Sequence, residues 1–260
     1  MKLRRVAEPL VTLAVLIVAW ALVITWFRIP NYILPTPGAV LHALKVGYVD
    51  GVYWPHFFAT LQATVFGYVL GCGLAFVLGA IAADSRTFER YVYPYVVGLQ
   101  STPKVALAPL IIVWFGFGLT SKIVIVALIC FFPLFINTIV GIRQTDPNLI
   151  DLLRVFSASR MHVFLHVKLP AAAGHIFAGL EISVVLSLIG AVVSEFVASQ
   201  RGLGNLIQAS SQNLDVAAMV AVLLTLALIG VAGSLLVRRL HDRFVFWERR
   251  ADVTAVLTEG

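Results

Sequence analysis

Residues 57–83 read FFATLQATVFGYVLGCGLAFVLGAIAA, without one charged side chain. Crossing a bilayer takes roughly 20 apolar residues at about 1.5 Å each. Five further stretches reach that length, at about 9–27, 90–115, 122–142, 171–198 and 215–237. In hydrocarbon no water satisfies the backbone, so only helices and closed barrels can span. Barrel strands would appear as short alternating runs. These runs are long and continuous, and they predict an all-α polytopic membrane protein with about six transmembrane helices. Composition agrees: 60% of the residues are hydrophobic and 12% charged, where soluble domains carry about 25% charged residues. The first stretch follows MKLRR but is too long for a signal-peptide core. No small-residue cleavage site precedes WFRIP, so it reads as a retained helix.

Lysine and arginine placement sets the expected orientation. With the N-terminus in the cytoplasm, the inner side collects Lys2, Arg4, Arg5, Arg86, Arg90, Arg143, Arg154, Arg160, Lys168, Arg238, Arg239, Arg243, Arg249 and Arg250. The outer side keeps Arg28, Lys45, Lys122 and Arg201. Both termini are thus expected to be cytoplasmic. The net charge of +6 is explained by topology and anionic headgroups, without nucleic acid. The whole chain, 1–260, reads as one transmembrane domain. It divides into a tail and first helix at 1–28, an outer segment at 29–56, core helices at 57–240 and a cytoplasmic tail at 241–260.

Cofactor chemistry finds little footing. Cys72 and Cys130 lie mid-span in different helices, where thiols behave as small apolar groups. GFGLTSK at 116–122 has Ser121 where a phosphate loop needs glycine before its lysine. Any nucleotide that drives this protein is expected on another chain.

Between two apolar stretches lies a segment too elaborate for a simple turn, at 144–170. Asp146-Pro147 has the form of a helix cap followed by proline in the first turn. Leu149, Leu152, Leu153 and Phe156 recur at helical spacing, with Asp151 and Arg154 on the flank. Ser157, Ala158 and Ser159 interrupt this helix, and Met161, Phe164 and Leu165 begin a second apolar face before Pro170. The pattern predicts helix, bend and helix along the inner membrane face. Periodicity leaves two readings open: a helix resting on headgroups, or an anchor received by a partner's groove.

The same stretch resembles the EAA loop of ATP-binding-cassette (ABC) importer permeases, E-A-A-x-x-x-G-A-S followed downstream by L-P. Asp151 stands for the glutamate, Leu152 and Leu153 for the alanines, and Ser157 for the glycine. Ala158, Ser159, Phe164, Leu169 and Pro170 match as they stand. LPTPGAVLHAL at 34–44, STPKVALAPLIIVWFGFG at 101–118, IFAGLEISVVLSLIGAVVSEFVAS at 176–199 and RGLGNLI at 201–207 extend the similarity to the nitrate, sulfonate and taurine branch. That branch includes importers of aromatic acids, riboflavin and thiamine-pyrimidine precursors. The resemblance implies a type I importer permease fold in the bacterial inner membrane, working as a dimer, usually of identical copies. It also implies two ATPase subunits that carry ATP and Mg, and an external substrate-binding protein, periplasmic or lipid-anchored. Asp151, Leu152, Leu153, Arg154, Phe156, Ser157, Ala158 and Ser159 would then form the coupling helix docked on the ATPase.

Polar residues inside apolar spans are costly and mark pathway candidates. Here they are Gln100, Lys104, Asn137, Glu181, Ser194 and Glu195. Asn137 has a plain alternative as a helix–helix hydrogen-bonding group. Lys104 lies between Pro103 and Pro109, whose missing donors interrupt the third stretch. Its charge would answer either the solute's negative charge or a carboxylate such as Glu181. The lysine form resembles the pyrimidine, riboflavin and aromatic-acid importers more than the sulfonate importers. Gly67 and Gly71 form a G-x-x-x-G pair that lets helices approach closely. The rival reading is a proton-coupled secondary transporter working through Glu181 and Glu195.

Overall fold

The computed structural model describes residues 2–247, which are mostly helical with no strand among them. Arg249 and Arg250, counted on the inner side, lie outside the described residues. The helices are α1 (Lys2–Phe27), α2 (Pro37–Val49), α3 (Trp54–Asp84), α4 (Arg86–Ser101), α5 (Ala108–Phe115), α6 (Leu119–Arg143) and α7 (Pro147–Val155). They continue with α8 (Arg160–Val163), α9 (Leu169–Ala171), α10 (Ala173–Ala198), α11 (Leu203–Gln212) and α12 (Val216–Phe244). Among the described residues, α3, α6, α10 and α12 are long and apolar enough to cross a membrane. α1 is apolar over the shorter Val11–Phe27. The stretch expected as one span at 90–115 is broken: α4 ends at Ser101, a single 3-10 turn covers Lys104–Leu107, and α5 begins at Ala108. Pro103 and Pro109 explain the break, since neither donates a backbone hydrogen bond.

The described residues fall into two compact units. One comprises the chain up to Thr60 together with Gln200–Leu228. In it Thr36 caps α2, its side chain accepting from the Ala39 N–H at 3.2 Å. Tyr48 meets Tyr53 and Trp54 edge-on at 5.6 and 5.3 Å, and its hydroxyl donates to Thr225 Oγ1 at 2.9 Å. The turn before α11 is tied down by the Gly202 N–H donating to His56 Nδ1 at 3.1 Å. The Leu203 N–H donates to Thr60 Oγ1 at 2.8 Å. Gly202 has φ +144°, which glycine adopts without strain.

The other unit comprises Leu61–Ser199 and the chain from Ile229 onward. Its centre is α6, and the register of its contacts follows from where side chains are absent. A Cβ on Gly71 of α3 would lie 2.5 Å from the Ala127 carbonyl oxygen, and one on Gly67 would lie 2.5 Å from Val126 Cβ. The G-x-x-x-G pair therefore seats α3 directly on α6. On the opposite strand of contacts, Gly190 faces Val126 and Gly179 faces Leu134. Rising numbers on α10 meet falling numbers on α6, so these helices are antiparallel, whereas α3 and α6 run parallel. Gly230 and Gly233 of α12 likewise approach Leu188 and Val184 of α10 in antiparallel register. Polar groups across these seams bond to backbone: Tyr68 donates to the Leu180 carbonyl at 3.1 Å and Ser183 to the Cys130 carbonyl at 2.9 Å. Cys130, Phe132, Leu134 and Phe135 form the core between them.

Candidate functional site

The helix–bend–helix at 144–170 is built from local signals. Asp146 caps α7, its carboxylate accepting from the Asn148 N–H at 2.9 Å, and Pro147 occupies the first turn. The end of α7 is closed by two paired bonds. The Ala158 N–H donates to the Leu153 carbonyl at 3.0 Å and the Ser157 N–H to the Arg154 carbonyl at 2.9 Å. That is the Schellman pattern, which requires a left-handed residue just past the cap. Ser157 occupies it with φ +56°. The position where the EAA pattern has glycine is thus left-handed in this chain, and Ser157 takes the steric cost of a Cβ there. Two residues on, Ser159 caps α8 by accepting from the His162 N–H at 3.2 Å. One Schellman end and one N-cap, two residues apart, fix the bend.

α7 turns an apolar face to the outside. Leu149, Leu152, Val155 and Phe156 are all exposed, Val155 by 80% and Phe156 by 74%. Leu153, expected on this face, is half-buried, and Val155 takes its place. The helix is rotated because Ile150, Arg154 and Ala158 turn the other way, toward a cleft shared with α8. Asp151 lies past the first turn and pairs with Arg154 at 3.1 Å. Both side chains are open to solvent.

Within the spans, the pathway candidates separate. Glu195 is fully buried at the end of α10 and lies 3.5 Å from Lys122 at the start of α6. Lys122, counted above as an outer-side charge, is itself only 7% exposed. Glu181 is held by Arg238 of α12 at 2.6 Å, not by Lys104. The Lys104 ammonium instead rests over the Phe132 ring, 4.3 Å from its centroid. Asn137 donates to the Pro133 carbonyl of its own helix at 2.8 Å, and Ser194 to the Ala191 carbonyl at 2.6 Å. Gln100 is exposed near the end of α4. No group of three His, Cys, Asp or Glu side chains suited to a metal occurs among the described residues.

The family profile described as binding-protein-dependent transport system inner membrane component matches residues 75–249, which include the whole bend segment. The chain belongs to this family. Among its relatives, the riboflavin transport system permease protein of Chloroflexus aurantiacus is 39% identical over 238 residues, covering 92% of this chain and 89% of that one. A putative aliphatic sulfonates transport permease protein of Bacillus subtilis is 32% identical, covering 90% and 85%. The formylaminopyrimidine transport permease protein of Halalkalibacterium halodurans is 28% identical, covering 94% and 96%. In fold, the permease is similar to the inward-facing methionine ABC transporter MetNI, with a TM-score of 0.54 at 18% identity over 79% of this chain and 98% of that one. It is also similar to an amino acid ABC transporter solved with histidines, with a TM-score of 0.59 at 16% identity over 78% and 96%.

The protein is therefore an integral inner-membrane permease subunit of an ABC importer, a class that works with ATPase and substrate-binding partners. For this permease the two carboxylates on which a proton-coupled rival would depend are both engaged by cations. Sequence reasoning missed Val155, Lys122 and Arg238. Val155 was legible in principle, because it lies three residues from Leu152. Lys122 and Arg238 gave no such signal, since near span ends they are indistinguishable from ordinary topological charges.

Proposed function

We propose that Asp151–Ser159 is the coupling helix through which this permease answers its ATPase, with both chain termini cytoplasmic. The observation that carries this reading is the solvent-facing apolar row Leu149, Leu152, Val155 and Phe156 on a helix locked at both ends. A soluble face with that composition is stabilised by a partner groove, as in helix-in-groove recognition. ATP and Mg bind the two partner ATPase subunits, and this chain binds no cofactor of its own. Two identical copies of the permease enclose the pathway. The solute is a small organic or inorganic anion or a vitamin precursor of the riboflavin, pyrimidine, aromatic-acid, sulfonate or nitrate class, delivered by an external binding protein. Likeness to riboflavin, sulfonate and formylaminopyrimidine permeases supports that range. Lys104, whose cation rests on Phe132 and not on Glu181, supplies positive charge toward such a solute.

Replacing Phe156 with Asp tests the coupling role. An unpaired carboxylate in an apolar groove costs several kcal/mol, so the ATPase should no longer co-purify with the Phe156→Asp permease. The side chain is exposed in the isolated chain, so thermal stability of that chain should hardly change. Undiminished ATPase recovery would overturn the docking role. Identifying what the partner binding protein captures identifies the solute.

A further inference from the structure

Beside the bend, on the side away from the α7 apolar row, two hollows meet. One is a charged cleft of about 290 Å³ lined by Asp84, Ile150, Arg154, Ala158, Arg160, Val163 and Lys168. The other is a furrow of about 450 Å³ in which Phe76, Val77, Ala80, Ile81, Met161 and Phe164 supply the apolar lining. Asp84 and Arg160 belong to both, so the two are continuous. We propose that this continuous furrow and cleft is a binding site for one anionic phospholipid, an acyl chain lying along α3 and the headgroup phosphate at Arg160.

Charge and depth point to this occupant. The cleft holds three cations against a single carboxylate. Lys168 is paired with Asp84, and Arg154 with Asp151, while Arg160 forms no ion pair among the described residues. A planar guanidinium is well suited to two oxygens of one phosphate. Asp84 is the first charged residue after the uncharged run at 57–83, which marks where α3 leaves hydrocarbon. From Asp84 back to Val77 the furrow follows α3 for roughly 10 Å at 1.5 Å per residue, an acyl-chain direction into the bilayer. A free anion would have no use for the furrow, and a neutral lipid would leave the cationic excess unanswered. The site needs only the membrane location of the permease and is independent of the coupling role of α7.

Native mass spectrometry of the purified, delipidated permease tests it, after exchange with an equimolar mixture of phosphatidylglycerol and phosphatidylcholine. The permease should retain phosphatidylglycerol preferentially, and Arg160→Gln should lower that retention about tenfold, the scale of one charge-assisted contact. Arg160→Lys, which keeps the charge, should retain more than Arg160→Gln. Val77→Trp, at a position already 53% exposed, should fill the furrow and displace the lipid with the cations intact. Equal retention of both lipids by the wild type, or unchanged retention in Arg160→Gln, would overturn the site. So would unchanged retention in Val77→Trp, or displacement of the lipid by inorganic phosphate alone, since either outcome describes an anion site without a furrow. Loss of ATPase co-purification in Arg160→Gln with lipid retention unchanged would reassign the cleft to a protein interface.

Discussion

Two ion pairs in the permease share their chemistry and differ in almost everything else. Lys122 and Glu195 lie 3.5 Å apart with side chains 9% and 0% exposed, joining the start of α6 to the end of α10. Arg154 and Asp151 lie 3.1 Å apart with side chains 71% and 69% exposed, one turn apart on α7. The buried pair gave up its hydration when the helices packed, so the charge on each partner is answered inside the protein and not by water. The solvated pair kept its water and has little mutual dependence. Similar distances thus carry opposite meanings: the first pair belongs to the architecture, and the second lies on its surface.

The sharpest way to break the comparison is to remove one member of the buried pair. Glu195→Leu takes the buried carboxylate away from the Lys122 ammonium, and breaking such a pair costs about 3–5 kcal/mol. Thermal unfolding of the purified permease in detergent should show a large loss. Lys122→Leu together with Glu195→Leu should recover much of it, because apolar replacements of both partners remove the desolvation cost. A Glu195→Leu permease as stable as wild type would show that the pair is not a structural joint.

Next in size is the seam that brings the pair together. A Cβ at Gly190 would lie 3.1 Å from Val126 Cα, so Gly190→Leu should push α10 from α6 and cost about 1–3 kcal/mol in the same unfolding measurement. If it leaves stability unchanged, the close approach of α6 and α10 is wrong in register.

At the bend the sign reverses. Ser157 pays for its left-handed conformation, so Ser157→Gly should stabilise the α7 end by about 0.5–1 kcal/mol. Hydrogen exchange at the Ala158 amide, which closes the Schellman turn, should slow accordingly. Faster exchange would mean that serine makes a favourable contact there that glycine loses.

The smallest stability effect belongs to the exposed pair. Arg154→Ala should change stability by no more than about 0.5 kcal/mol, the usual scale for a solvated helix pair. Asp151→Glu should keep ATP-driven uptake in reconstituted vesicles, whereas Asp151→Lys should uncouple hydrolysis from uptake. Normal uptake by Asp151→Lys would remove Asp151 from the coupling role.

Much of this protein was legible from one dimension. Uncharged runs longer than a bilayer is thick fix helices in lipid, because no other open backbone satisfies itself there. The Gly67–Gly71 spacing announced a close helix contact, and the structure seats it on Val126 and Ala127. Asp146-Pro147 and Ser157-Ala158-Ser159 announced a capped helix and a bend, because caps and turns are made by neighbours in sequence. Proline at 103 and 109 announced an interruption, but not that α4, a 3-10 turn and α5 would replace one span.

What the tertiary structure alone decided is which distant groups meet and which face of a helix stays bare. Glu181 faces Arg238, and Lys104 faces Phe132, because α10 meets α12 in one register and the 3-10 turn lies over α6. Lys122 is buried because antiparallel packing of α6 and α10 carries it to Glu195. The face of α7 shows Val155 in place of Leu153 because the cleft beside α8 claims Ile150 and Arg154. Hydropathy and periodicity are sums over near neighbours, and they report that a helix has an apolar side. Rotation and register are set by the elements packed against it, and these lie tens of residues away in the chain.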